Sequence, residues 1–369
     1  MKGKSEFFKT NLIYFSTMVL FVVLRICSAM GVFSFLGETQ GLILTLITQV
    51  GLMFLIPFGL FCNLNKTQPK ETLRRFNFRK IDFKTVLVSI LIGLIVFVLN
   101  IFISSFFSSI LNFFGYSSSS GGVQTDTSWG NFFYSLLTVA ILPAFCEEFI
   151  HRGMLLSSYN KLGFKKAVLI SGVMFGLIHL NVGQFFYATI IGFILAIVTL
   201  YSQSIVPAMI IHFLNNGISV YLSFAEAKGI WGKGFYSGFS KLISSGNLVS
   251  NIIFVTLLVA LLISILFFLV NWLLKNNIKR TVINFSQNMT LLAMREEVLS
   301  EIQPEQKQKN PPIVFGGGLN PTKLTIPYEM LGFYMEPVVK PSKIDKVFYY
   351  SCFVLGGLVT LFTFIWGIL

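Results

Sequence analysis

The sequence is dominated by a succession of apolar runs, each about twenty residues long. At 1.5 Å per residue, a helix of this length crosses a bilayer core of ~30 Å. The chain has 369 residues, of which 54% are hydrophobic and only 12% are charged, so a soluble globular fold is excluded. We predict an all-α polytopic membrane protein with about nine transmembrane helices. The predicted spans are 11–36, 41–63, 85–114, 131–156, 166–182, 184–202, 204–224, 249–274 and 347–368.

The basic residues lie in the connections between these runs. The chain carries 28 Lys and Arg against 15 Asp and Glu, a net charge of +13. If the N-terminus lies inside, most basic residues fall on the inner side, and only Lys228, Lys233 and Lys241 fall on the outer side. This asymmetry follows the positive-inside rule and predicts an integral, multi-pass protein with a cytoplasmic N-terminus, expected in a bacterial cell membrane. A nucleic-acid partner is not expected, because its binding surface needs basic residues clustered on a soluble face.

The predicted spans divide the chain into three segments. Residues 1–274 are predicted to form an eight-helix transmembrane core. Residues 275–346 contain no long apolar run and are predicted to form a basic, partly flexible cytoplasmic connector or a substrate- or partner-binding appendage. Within them, 295–301 could form an amphipathic helix, whereas 303–312 is typical of a linker. Residues 347–369 are predicted to form an additional C-terminal transmembrane helix.

Two acidic residues stand out because they lie inside an apolar run. Glu147 and Glu148 belong to the run 131–156, and Arg152 follows one helical turn later. An ionisable group inside a bilayer is costly unless it meets a partner or a water-filled cavity, so the pair indicates a functional site. Glu148 and Arg152 are four residues apart and share a helical face, so we expect them to pair and support the site. A purely structural ion pair is the alternative interpretation.

Two of the three histidines also lie within apolar runs. His179 follows Phe175 by four residues, and His212 precedes Asn216 by four residues, so each motif presents one helical face. Measured from the inner helix ends, these histidines and the two glutamates lie ~12–20 Å deep, near the middle of the bilayer. The third histidine, His151, is expected to be a local or interfacial residue.

This set of side chains predicts hydrolysis of a peptide bond within or beside the membrane. A carboxylate can act as a general base that activates water, and imidazoles can bind a metal or donate hydrogen bonds to an oxyanion. Other intramembrane protease designs are excluded, because the sequence has no His-Glu-x-x-His, no aspartate in any apolar run and no Gly-x-Ser-Gly. A proton-coupled transporter could use the same groups, but the paired repeats and broken helices typical of transporters are missing.

The four cysteines indicate neither a disulfide framework nor a zinc ribbon. They lie in or beside the apolar runs and form no Cys-x-x-Cys pair. We expect them to contribute to helix packing. They are Cys27, Cys62, Cys146 and Cys352.

Three motifs on separate apolar runs resemble the signature motifs of the CPBP intramembrane proteases. This family includes the CAAX prenyl endopeptidases and the bacterial bacteriocin-processing and immunity (Abi) proteins. The resemblance covers about residues 130–222 and implies an eight-helix core that contains the site. It implies that Glu147 with His179 activates water and that His212 with Asn216 stabilises the oxyanion, supported by Glu148, Arg152 and Phe175. The motifs are Glu147-Glu148-x-x-x-Arg152, Phe175-x-x-x-His179 and His212-x-x-x-Asn216.

The resemblance leaves the cofactor and the exact activity open. Family members have been described as metalloproteases, which implies zinc held by Glu147, His179 and His212, but a metal-independent glutamate mechanism has also been argued. The implied substrate is a membrane-associated or lipid-modified peptide or protein, met in contact with membrane lipid. The alternative is a non-catalytic bacteriocin immunity or membrane scaffold protein of the same family.

Overall fold

The computed structural model describes residues 5–117, 127–302 and 341–368. Over these residues the chain forms eleven helices and no strand, which confirms the all-α class. The helices are α1 (Glu6–Ala29), α2 (Ser34–Asn65), α3 (Pro69–Arg75), α4 (Phe83–Phe113), α5 (Trp129–Tyr159), α6 (Phe164–Ile178), α7 (Val182–Ser202), α8 (Val206–Lys228), α9 (Phe235–Ile243), α10 (Leu248–Ile302) and α11 (Val347–Trp366).

Eight helices of the described ranges are long and apolar enough to cross a bilayer, which confirms a polytopic membrane protein. The fifth predicted span, 166–182, is corrected: α6 has only 15 residues, or ~22 Å at 1.5 Å per residue. The apolar run continues past its end, but the backbone does not remain helical. Leu180 adopts a left-handed conformation with φ of 50°. Asn181 then caps α7 by accepting a hydrogen bond from the backbone N–H of Gln184, a role for which asparagine is well suited.

The helix α10 extends beyond the predicted span that ends at residue 274. It continues without interruption to Ile302, so residues 295–301 are helical as a continuation of α10. The predicted linker at 303–312 lies outside the described residues.

The helix α7 is the centre of the bundle, because it packs against α4, α5, α6, α8, α10 and α11. Its closest approach is to α6, where Gly192 faces Gly172. A Cβ atom added at Gly192 would lie 2.9 Å from the Cα atom of Gly172. Small residues at such a crossing allow membrane helices to pack backbone against backbone.

We expect Gly192→Ala to destabilise the protein by about 1–3 kcal/mol, because the added methyl group meets backbone atoms that cannot rotate away. The measurement is a denaturant titration of the purified protein in detergent. Gly59→Ala is the matched control, because a Cβ atom at that helical glycine meets open space. Equal stability of the two variants would show that the α6–α7 approach tolerates a methyl group.

The C-terminal helix α11 packs within the same bundle as the motif-bearing helices. It contacts α1, α6 and α7. A Cβ atom at Gly356 would lie 2.9 Å from Cβ of Leu177 on α6, and the Thr363 hydroxyl accepts a hydrogen bond from the backbone N–H of Val182 at 3.1 Å. Cys352 on the same helix is buried, and all four cysteines are free thiols. The helix α11 thus supports α6 and the start of α7.

Two of the long helices contain π-helical segments. In α2 this segment is Ile47–Leu55, and in α5 the two segments are Leu136–Ile141 and Phe149–Leu155. A π-helical turn widens the helix and changes which side chains face a neighbour, and such turns are frequent at functional sites. The segment Phe149–Leu155 is buried at every residue and contains Arg152 of the first motif.

Candidate active site

Glu148 is the centre of a buried ionic network that joins α5 to α8. Its Oε1 atom lies 2.9 Å from Nδ1 of His212, and its Oε2 atom lies 3.1 Å from Nε of Arg152. The second contact is an ion pair without the alignment of a hydrogen bond. Glu148 and Arg152 have no exposed surface, and His212 is 6% exposed. The expected pair of Glu148 and Arg152 is therefore present, and it also holds an imidazole from another motif.

Arg152 connects this network to the two helices that pack at Gly192. Its Nη2 atom donates a hydrogen bond to the backbone carbonyl of Gly192 on α7 at 3.1 Å. Its guanidinium group lies over the ring of Phe175 on α6, with Cζ 4.4 Å from the ring centroid. This geometry is that of a cation–π contact. One buried side chain thus links α5, α6 and α7.

The three motifs meet around the ring of Phe175. The centroid of this ring lies 5.1 Å from the ring centroid of His151, 5.1 Å from that of His179 and 5.7 Å from that of His212. All three imidazoles meet it at a steep angle, edge to face. Phe175 therefore acts as a spacer that places the histidines around one point. The structure thus brings the three predicted motifs together.

Glu147 has a different environment from its neighbour. It keeps part of its surface exposed, whereas Glu148 keeps none. Its Oε1 atom accepts a hydrogen bond from Nε2 of Gln49 at 2.9 Å, and the carboxylate interacts electrostatically with His179. Within the described part of the chain, no hydrogen bond reaches its Oε2 atom. The two adjacent carboxylates therefore differ: Glu148 is buried and neutralised by Arg152, whereas Glu147 is partly exposed.

The imidazoles of His179 and His212 are each held by a hydrogen bond at Nδ1. Nδ1 of His179 lies 2.7 Å from the backbone carbonyl of Phe175. Because a carbonyl only accepts, Nδ1 carries the proton and Nε2 of the neutral ring has the lone pair. In His212, Nδ1 is held by the Glu148 carboxylate. The described residues provide no hydrogen bond to either Nε2 atom, so these are the atoms left for chemistry.

Asn216 lies one helical turn after His212, but its amide bonds elsewhere. Its Nδ2 atom donates to the backbone carbonyl of Val139 at 2.9 Å, and its Oδ1 atom accepts from Asn215 at 3.0 Å. The bond to Val139 ties α8 to α5, whereas the bond from Asn215 lies within α8. One N–H of the Asn216 amide remains for another acceptor, and its pairing with His212 at an oxyanion stays a prediction.

The residues expected to hold zinc are not arranged as a three-ligand centre. Among the residues that the structure describes, no three His, Cys, Asp or Glu side chains are positioned to share one metal ion. His212 is bonded to Glu148 rather than grouped with Glu147 and His179. The side chains as placed therefore do not fit the three-ligand site of a catalytic zinc.

Three further side chains of the site lie outside the predicted set of site residues. Tyr14 of α1 places its hydroxyl 3.0 Å from Nε2 of His151 and 3.0 Å from the carbonyl of Met174, and Nδ1 of His151 lies 2.7 Å from the backbone carbonyl of Glu147. From the sequence, His151 is expected to be a local or interfacial residue. It is fully buried within a π-helical segment that is buried at every residue, so it is not interfacial, whereas its bond to the Glu147 carbonyl is a local contact. Gln49 is the third residue. Its only signal in the sequence is a polar side chain within an apolar run.

Fold and site together define a polytopic membrane protein whose buried centre combines two carboxylates with imidazoles from three helices. Residues 129–218 match the family model described as type II CAAX prenyl endopeptidase Rce1-like. The match confirms the predicted resemblance to the CPBP family for the segment that carries the three motifs. No curated protein and no solved structure matches the chain. Tyr14 and Gln49 lie outside the matched segment.

Proposed function

We propose that this chain is an intramembrane endopeptidase that hydrolyses peptide bonds of membrane-associated or lipid-modified peptides. The observation that carries the proposal is the division of the two carboxylates. Glu148 is neutralised by Arg152 and holds His212, whereas Glu147 is partly exposed and its carboxylate accepts a hydrogen bond from Gln49. The match to a prenyl endopeptidase family supports peptidase chemistry.

In the proposed reaction, Glu147 acts as the general base. Gln49 holds its Oε1 atom, so Oε2 receives a proton from the attacking water while the lone pair on Nε2 of His179 accepts the second O–H. The water oxygen then bonds to the carbonyl carbon of the substrate. General-base assistance of this kind contributes ~10²–10⁴-fold to a reaction rate.

The negative charge that develops on the substrate oxygen is stabilised by His212. The Glu148 carboxylate accepts a hydrogen bond from the Nδ1–H of this ring. In the proposed step the ring also carries a proton on Nε2, which donates a hydrogen bond to the oxyanion. The remaining N–H of Asn216 is the proposed second donor. Collapse of the tetrahedral intermediate breaks the C–N bond, and Glu147 passes its proton to the leaving amine nitrogen.

The membrane setting favours a substrate that carries its own lipid anchor. The helices around the site are apolar over lengths that cross a bilayer. An anchored peptide is confined to the same two-dimensional layer as the site, which reduces the entropy lost on binding. We therefore propose a peptide with a lipid-modified residue near the scissile bond as the substrate class.

The test is a cleavage assay with the full-length protein in lipid nanodiscs. Peptides with and without a prenyl group on a cysteine are incubated with wild-type protein, and products are identified by mass spectrometry. We expect cleavage of the prenylated peptide at a higher rate than of the unmodified one, unchanged by a chelator. Loss of cleavage with chelator and recovery with zinc would require a rearranged metal-binding site. No cleavage of any peptide would contradict the proposal and favour the immunity or scaffold function.

A further inference from the structure

Gln49 lies outside the family-matched segment, yet it contacts the carboxylate to which we assign the base role. We propose that Gln49 is a positioning residue of the reaction: its amide N–H holds the Glu147 carboxylate in the orientation that receives the proton from water. This inference rests on the proposed function and deepens it. It adds a residue of α2 to a site whose three motifs lie on α5, α6 and α8.

The contact joins two helices at a point where both are firmly packed. Nε2 of Gln49 lies 2.9 Å from Oε1 of Glu147. Phe54, in the same π-helical segment as Gln49, packs edge to face against Phe145 and Phe149, with centroid distances of 5.1 Å and 4.7 Å. These two rings flank Glu147 in the sequence. The backbone positions of the donor and the acceptor are therefore both held by aromatic packing.

The orientation of the Gln49 amide is determined by its neighbour. The NH₂ group of Gln49 faces the carboxylate of Glu147. If the amide were turned over, its oxygen would face the carboxylate, and two acceptors cannot form a hydrogen bond. The amide oxygen is then buried, and no hydrogen-bond donor of the described residues reaches it. A buried acceptor without a partner lowers stability. An apolar side chain of the same length avoids this cost, so the amide is explained by what its N–H does for Glu147.

The test uses Gln49→Met, which keeps the length of an unbranched side chain and removes both the donor and the unpartnered acceptor. We expect kcat to fall by about 10–100-fold, the range typical of residues that orient a reacting group. We expect KM to change by less than about twofold, because the contact acts on the base rather than on the substrate. The melting temperature should remain equal to that of the wild type or rise, since the buried unpartnered oxygen is removed.

Thr48→Val is the matched control. Thr48 is the preceding residue of the same π-helical segment, and its hydroxyl donates to the backbone carbonyl of Leu44 within its own helix. We expect this variant to retain the wild-type kcat. A fall in melting temperature together with kcat in Gln49→Met would assign Gln49 a structural role and overturn the inference.

A spectroscopic measurement tests the same contact without turnover. The infrared difference spectrum between the wild type and Glu147→Gln isolates the carboxyl band of Glu147. We expect Gln49→Met to shift this band and Thr48→Val to leave it in place. If Gln49→Met leaves this band unshifted, the inference is overturned. It is also overturned if Gln49→Met cleaves the peptide at the wild-type rate and this cleavage still depends on Glu147. If the wild type itself cleaves no peptide, the proposed function fails, and the reaction role of Gln49 fails with it.

Discussion

We expect Glu147→Gln to lower kcat by ~10²–10⁴-fold, the contribution of a positioned general base. Glutamine has the same shape as glutamate and keeps an oxygen that can accept the hydrogen bond from Gln49. It lacks the negative charge needed to take a proton from water. The change therefore removes the proposed chemistry and leaves the packing of α2 against α5 in place.

The measurement is the cleavage assay described above, combined with thermal unfolding to confirm that the variant is folded. Glu38→Gln is the matched control, because Glu38 is an exposed carboxylate that lies outside the site. Wild-type cleavage by Glu147→Gln would show that Glu147 is not the base. A folded but inactive variant next to an active Glu38→Gln supports the assignment.

The second large effect is expected for Arg152→Met. This change leaves the Glu148 carboxylate buried, with no exposed surface and without its positive partner. Removing one partner of a buried ion pair costs about 3–5 kcal/mol. The variant also loses the hydrogen bond to the Gly192 carbonyl and the contact with the Phe175 ring, so α6 and α7 lose a common support. We expect a large fall in the free energy of unfolding, measured by denaturant titration.

The double variant Glu148→Gln/Arg152→Met separates the stability effect from the catalytic one. Because both charges are removed, we expect most of the lost stability to return, with a coupling energy well above that of exposed pairs. Cleavage should not return, because His212 no longer has a carboxylate at Nδ1. Arg75→Met is the control for solvent-accessible ion pairs. Arg75 pairs with Glu71 and Glu6 at the surface, and the expected loss is at most about 1 kcal/mol. A stable Arg152→Met variant would show that the buried pair does not stabilise the bundle.

The number and position of the long helices could largely be predicted from hydropathy and length. Eight of the nine predicted spans correspond to helices long enough to cross a bilayer. The exception, α6, arises because a run of apolar residues does not reveal where the backbone turns. Leu180 is apolar and continues the run, yet its left-handed conformation and the cap formed by Asn181 begin a new helix.

The family motifs could likewise be read from spacing, since residues four apart on a helix share a face. Glu148 and Arg152 form the ion pair that this rule predicts, and Phe175 contacts His179 within its own motif. Spacing could not assign His151. It lies in a π-helical segment that is buried at every residue. As a result His151, which stands between the motif residues Glu148 and Arg152, packs against Phe175 inside the site.

The sequence alone determined the class of membrane protein, the three motifs and the residue types available for hydrolysis. Only the tertiary structure decided which glutamate is neutralised and which is open, and which side chains from outside the motifs reach them. Gln49 is 98 positions from Glu147, and Tyr14 is 137 positions from His151. Such contacts depend on which helices become neighbours in the bundle, and the periodicity within a single helix contains no information about that choice.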